Sequence, residues 1–167
     1  MHDYEIYSEC DQINDFIEKR DVATARSKVI NLLDRMQQDG NRYNPMVNHF
    51  IRVVGLFPYI DKKTALWDDQ VVVEAFKADV GDIAPVTLHS AQSRVLKRLL
   101  LGENIAVSAP TSFGKSFIID AFISIRKPDN VVIIVPTIAL ADETRRRIEH
   151  KFSRFYKIIT TTDATIA

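Results

Sequence analysis

Apolar residues in the first half of the chain recur every three or four positions, the spacing that places them on one face of an α-helix. Residues that strongly favour helix ends lie at both ends of these repeats. Asp21 and Asn44 are predicted N-caps, Pro45 occupies a first turn, and Gly40 provides a left-handed stop. The spacing predicts helices at residues 8–20, 21–40, 44–55 and 61–77. The first half is therefore expected to be all-α, with Trp67 in its core.

The second half alternates between two spacings. Helices are predicted at residues 89–101, 114–126 and 138–155, and strands at residues 104–108, 131–135 and 157–160. Strands that alternate with helices require crossover connections, which predicts an α/β fold with a parallel sheet. Runs this apolar are typical of strands that are covered on both faces.

A turn-rich segment that contains Gly81 and Pro85 separates the two halves. We therefore expect a helical N-terminal region at residues 1–82 and an α/β domain at residues 83–167. The whole chain has 167 residues and a formal net charge of zero, which gives no global basic field toward nucleic acid or a membrane. Cys10 is the single cysteine, so an intramolecular disulfide is excluded. With no basic, apolar leader and no long apolar run, the sequence predicts a cytoplasmic protein without a membrane partner.

The candidate chemistry lies between the predicted strand at 104–108 and the helix that follows it. Residues 109–116 read Ala-Pro-Thr-Ser-Phe-Gly-Lys-Ser, the plan of a phosphate-binding loop. Triphosphate binding needs inward-pointing backbone amides, a cation for the β and γ oxygens, and a hydroxyl for Mg²⁺. Lys115 would supply the cation and Ser116 the hydroxyl. The candidate nucleotide-binding residues of this loop are Pro110, Thr111, Ser112, Phe113, Gly114, Lys115 and Ser116.

The general pattern begins with glycine, whereas this loop begins with Ala109. The loop resembles motif I of the superfamily 2 helicases and translocases, the DEAD/DEAH-box-like proteins, in which alanine is expected at that position. Ser112 replaces the middle glycine of that motif. The resemblance implies an incomplete RecA-like P-loop domain with parallel strands, ATP and Mg²⁺ as cofactors, Lys115 as the catalytic cation, and Ser116 as the Mg²⁺ ligand.

Two further segments support this resemblance. Residues 88–92, Leu-His-Ser-Ala-Gln, look like the glutamine motif, which implies that the amide of Gln92 reads adenine. Residues 135–140, Val-Pro-Thr-Ile-Ala-Leu, resemble motif Ia, which implies that Pro136 and Thr137 contact the backbone of DNA or RNA.

The sequence has no Asp-Glu-x-Asp/His segment after an apolar strand. The resemblance therefore implies an N-terminal part of an ATP-dependent helicase or translocase, which binds ATP but is catalytically inactive by itself. An alternative is a non-enzymatic module whose helical region docks a protein partner and whose nucleotide site is a remnant. A small P-loop kinase is disfavoured by Ala109 and by the motif Ia segment. The arginine run at 145–147 is expected to form a solvated helix face paired with Glu143 and Glu149.

Overall fold

The computed structural model describes residues 3–160, which form two compact units. The first unit comprises the residues up to Lys77 together with Thr87–Ser93. The second unit comprises Ala78–Val86 together with the residues from Arg94 onwards.

The first unit is helical. Its helices are α1 (Asp3–Glu18), α2 (Val22–Gln38), α3 (Pro45–Val53) and α4 (Trp67–Ala75), with a 3₁₀ turn at Phe57–Tyr59. Their apolar faces meet in one core, whose fully buried members include Ile13, Val29, Leu32, Met36, Val47 and Ile51. Burial of these side chains is the main force that holds the helices together. The predicted all-α character of the N-terminal region is confirmed.

Two of the predicted helix starts are confirmed in atomic detail. The Asp21 carboxylate accepts a hydrogen bond from the backbone N–H of Thr24 at 3.1 Å. The Asn44 side chain accepts one from the N–H of Val47 at 2.9 Å. Both caps satisfy backbone donors that have no partner inside a first helical turn.

Two other predictions for this unit are wrong. Helix α1 begins at Asp3 and not at Ser8, because Ile6 joins Cys10 in the core one turn earlier than the pattern indicated. Helix α4 begins at Trp67, so the Trp67 side chain lies on its first turn and is 75% exposed instead of buried. The core position of α4 is taken by Val73.

A buried polar centre in the first unit explains the late start of α4. The side chain of Asn48 is fully buried, and its oxygen accepts a hydrogen bond from the N–H of Asp61 at 3.0 Å. Its amide nitrogen donates to the Asp61 carbonyl at 3.3 Å and to the Thr64 hydroxyl at 3.1 Å. These bonds hold residues 61–64 in a turn, so the helix cannot begin there.

The second unit contains α6 (Lys115–Arg126) and α7 (Ile138–Phe152), close to their predicted bounds. Helix α5 (Ser90–Leu100) has residues in both units, as does the two-stranded sheet formed by β1 (Lys77–Ala78) and β2 (Val86–Thr87). No helix within residues 3–160 is long and apolar enough to cross a bilayer.

The predicted strands at 104–108, 131–135 and 157–160 are not strands in the described part of the chain. A strand exists only when its backbone pairs with another strand, and the apolar pattern specifies the faces of a strand but not its partner. In the segment 131–135, Val132 is 83% and Ile134 is 91% exposed, so two side chains that were expected to be covered are open to solvent. The predicted parallel sheet is therefore not observed among residues 3–160.

Candidate nucleotide site

The loop at 109–116 makes a tight turn into α6. Residues Thr111–Phe113 form a single 3₁₀ turn, and Gly114 follows with φ of +77°. This left-handed conformation strongly favours glycine, because a Cβ would meet the neighbouring backbone. Helix α6 then begins at Lys115. The glycine thus lets the chain pass directly from the turn into the helix.

The Lys115 side chain folds back over this turn. Its ammonium donates hydrogen bonds to the carbonyl oxygens of Ala109 at 2.7 Å and of Pro110 at 2.8 Å. The positive charge is therefore already held above the loop by two neutral oxygens. Phosphate oxygens carry negative charge and would form stronger hydrogen bonds with the same ammonium.

The N-terminus of α6 has no side-chain cap. Its first backbone N–H groups point out of the helix, and the helix dipole adds partial positive charge at that end. Ser112 and Ser116 beside it are exposed to solvent. Amides, an ammonium and a hydroxyl at one helix end form a donor set that fits a phosphate anion, with Ser116 able to serve a divalent cation.

Gln92 lies in the first unit, whereas the loop at 109–116 lies in the second. The Gln92 side chain is buried, and its oxygen accepts a hydrogen bond from the N–H of His89 at 3.0 Å. The N–H of Gln92 in turn donates to His89 Nδ1 at 3.3 Å. This reciprocal pair stabilises the start of α5. The structure thus gives Gln92 a local capping role, and its role toward adenine stays a prediction.

Pro136 and Thr137 are exposed at the start of α7. The Thr137 hydroxyl oxygen accepts a hydrogen bond from the N–H of Leu140 at 3.2 Å, so Thr137 is the N-cap of the helix. A capping hydroxyl uses its oxygen in this bond and keeps its own hydrogen to donate. The proton and the nearby amides are available to a phosphate, which is compatible with the predicted contact to a nucleic-acid backbone.

Sequence reasoning missed a buried ion cluster in the second unit. Asp120 of α6 is only 1% exposed, and its carboxylate binds both Arg147 and Lys151 of α7. Lys151 also binds Asp82 at 2.8 Å. Burial lowers the pKa of the Lys151 ammonium, but the hydrogen bonds to Asp82 and Asp120 outweigh that effect and raise it above its ordinary value. One carboxylate inside an otherwise apolar helical stretch was the signal available in the sequence.

The arginine run at 145–147 is only partly the solvated face that was predicted. Arg145 pairs with Glu149 at 3.0 Å on the surface of α7, as expected. Arg147 instead turns inward to Asp120. The run therefore divides between a surface ion pair and a buried one.

Comparison with known protein families gives two matches along the chain. Residues 89–166 match the DEAD/DEAH box helicase family. Residues 1–70 match the N-terminal domain of anti-bacteriophage protein B. The predicted resemblance to the DEAD/DEAH-box-like helicases is confirmed by the first of these matches.

The protein after which this N-terminal family is named is itself a relative of the chain. Anti-bacteriophage protein B of Escherichia coli (strain K12) is 37% identical over 136 residues, which cover 80% of this chain. The aligned region is 18% of the length of that relative. No solved structure matches this chain.

Proposed function

We propose that this chain is the ATP-binding N-terminal part of an ATP-dependent nucleic-acid helicase or translocase. In this proposal residues 1–82 form a helical region, and residues 83–167 form the first part of a RecA-like domain. Lys115 and Ser116 bind the phosphates and Mg²⁺, Gln92 reads the adenine, and Pro136 and Thr137 contact DNA or RNA. The resemblance to the glutamine motif and to motifs I and Ia supports these roles.

The observation that carries the proposal is the arrangement at the start of α6. An uncapped helix N-terminus, a left-handed Gly114 and the Lys115 ammonium above the turn together support an anion site at this position. Without a carboxylate segment to bind Mg²⁺ and orient water, this chain by itself is expected to bind ATP without appreciable turnover.

Titration with a fluorescent ATP analogue tests the proposal. Lys115→Ala is expected to weaken binding about ten- to hundredfold, the effect of losing a charge-assisted hydrogen bond. Lys97→Ala is the matched control, because Lys97 is exposed on α5 and its loss changes the net charge equally. Equal affinities of wild type and Lys115→Ala would rule out the site.

A docking module remains the second candidate function, and one surface favours it. Leu66, Trp67 and Val71 are 59%, 75% and 43% exposed. Trp67 and Val71 are four residues apart on α4 and so share one face of that helix. An exposed apolar face of this kind suits contact with another protein. A chain that fails to bind ATP in the titration would leave this function as the stronger one.

The name of the relative suggests a biological setting for the motor. We infer that the protein to which this chain contributes acts in defence against bacteriophage. Cells that express the complete protein are expected to reduce phage plaque numbers, and Lys115→Ala in that protein is expected to abolish the reduction. Protection by the Lys115→Ala protein at the wild-type level would show that defence does not depend on this site.

A further inference from the structure

Asp120 is a buried carboxylate on the helix that begins at the nucleotide loop. It follows Lys115 by five residues, and its side chain is 1% exposed. A charge at this depth is costly unless partners compensate it. Its partners both come from α7, where Lys151 Nζ lies 3.0 Å from one carboxylate oxygen and the Arg147 guanidinium binds the other.

The same two cations reach the first turn of α6. Arg147 Nη1 lies 3.5 Å from the backbone oxygen of Ser116. The Lys151 ammonium lies 5.9 Å from the centre of the Phe117 ring, a cation–π distance. Arg147 and Lys151 are four residues apart, so they project from one face of α7. Helix α7 therefore contacts the turn that carries Ser116 through the half-buried side chains of Arg147 and Lys151.

Ser116 is the second residue of α6, so its orientation depends on how the first turn of that helix is held. Ser116 lies in the uncapped first turn, and no side-chain cap at Gly114 restrains it. A helix terminus without a cap frays more readily than its interior. The contact from Arg147 is thus a tertiary restraint on a first turn that has no side-chain cap.

We propose that Arg147 and Asp120 are positioning residues for the nucleotide site, which hold the first turn of α6 so that the Ser116 hydroxyl can serve Mg²⁺. This inference rests on the proposed function, since it concerns the same ATP site. Neither side chain touches the nucleotide in this scheme. Arg147 acts through Ser116, and Asp120 acts by holding Arg147 in place.

The test compares ATP affinity in the presence of Mg²⁺ with ATP affinity in EDTA. In wild type, Mg²⁺ is expected to strengthen binding. In Arg147→Ala the ratio of the two affinities is expected to fall about fivefold, the size of one lost net hydrogen bond, while affinity in EDTA stays within about twofold of wild type. Arg145→Ala is the matched control, because it removes the same residue type from the same helix and breaks only the surface pair with Glu149.

Arg147→Lys is a second, milder variant in case Arg147→Ala does not fold. Folding of both variants is checked by thermal unfolding followed by circular dichroism. Arg147→Lys keeps a positive charge beside Asp120, but a lysine is shorter and lacks the planar fork of arginine. For Arg147→Lys, the ratio of ATP affinity with Mg²⁺ to ATP affinity in EDTA is expected to fall by about twofold, since part of the contact survives. If the alanine variant unfolds, the lysine variant decides the question.

The outcomes separate this inference from the proposed function. Failure of wild type to bind ATP overturns the function and the inference with it. Binding that Lys115→Ala weakens, combined with an unchanged ratio in the folded Arg147 variants, overturns the positioning role alone. An equal loss of ATP affinity with and without Mg²⁺ also overturns the positioning role, because a merely structural contact would lower both affinities. A fall in the ratio for Arg147 variants but not for Arg145→Ala supports it.

Discussion

Changing Gly55 to alanine is expected to destabilise the first unit by about 2–5 kcal/mol, the sum of a left-handed backbone strain and an overpacked contact. Gly55 has φ of +75° at the end of α3. A Cβ built there would lie 2.1 Å from Ser90 Oγ and 2.7 Å from Ser90 Cβ. The close approach is fixed by a backbone hydrogen bond from Ser90 N–H to the Gly55 carbonyl at 3.0 Å. Urea unfolding followed by circular dichroism at 222 nm measures the loss.

Two further variants separate the strain from the clash. Gly40→Ala carries the same left-handed penalty, with φ of +67°, but a Cβ there meets nothing within 4 Å. Its loss is expected to be about 1–2 kcal/mol, the backbone term alone. Combining Gly55→Ala with Ser90→Gly removes both clashing atoms and is expected to recover most of the difference. Similar losses for Gly55→Ala and Gly40→Ala would contradict the contact with Ser90.

The sequence predicted well those features of the fold that depend on neighbours in the chain. The caps at Asp21 and Asn44 involve a residue and the amide three positions later, so a local rule suffices. The bounds of α6 likewise follow from Gly114 at one end and a change of spacing at the other. The resemblance to motif I also rests on contiguous residues.

Features that depend on distant partners were predicted poorly. The exposure of Trp67 follows from the turn around Asn48, whose partners lie 13 and 16 positions away. Asp120 and Arg147 are 27 positions apart, and nothing in either local pattern indicates that they meet. The predicted strands have a suitable apolar pattern, but pairing is a property of two segments and not of one. Spacing along the chain therefore located elements better than it located contacts.

The candidate site shows the same contrast between features set by neighbouring residues and features set by distant ones. The candidate residues of the phosphate loop could be proposed from the sequence because one contiguous motif contains all of them, and their roles stay a prediction. The return of the Lys115 ammonium to the carbonyls of Ala109 and Pro110 could not be predicted, since it depends on the path of a flexible side chain. Arg147 was expected to face solvent, because charged residues on helices usually do. Its inward contact is a tertiary effect.

Replacing Asn48 by alanine is expected to cost about 3–4 kcal/mol of unfolding free energy, because it removes several buried hydrogen bonds and opens a small cavity. The N–H of Asp61 would lose the buried Asn48 oxygen as its acceptor. The turn at 61–64 would lose the anchor that sets the start of α4. Asn31→Ala is the matched control, since Asn31 is exposed on α2, and its change is expected to stay within about 0.5 kcal/mol.

The variant Asn48→Asp tests the hydrogen bonds that the Asn48 amide donates, because it makes the stability of the same buried centre depend on pH. An aspartate carboxylate can still accept from the N–H of Asp61, but it cannot donate to the Asp61 carbonyl or the Thr64 hydroxyl unless it is protonated. Because position 48 is fully buried, we expect the pKa of this carboxyl in the folded state to lie above its unfolded value of about 3.9. The folded state then binds its proton more tightly, so stability relative to wild type is retained below about pH 4 and is lost as the pH rises through the folded pKa. Unfolding curves of both proteins from pH 4 to pH 7 measure the difference, and a stability gap that does not widen with pH would show that the Asn48 amide donors contribute little.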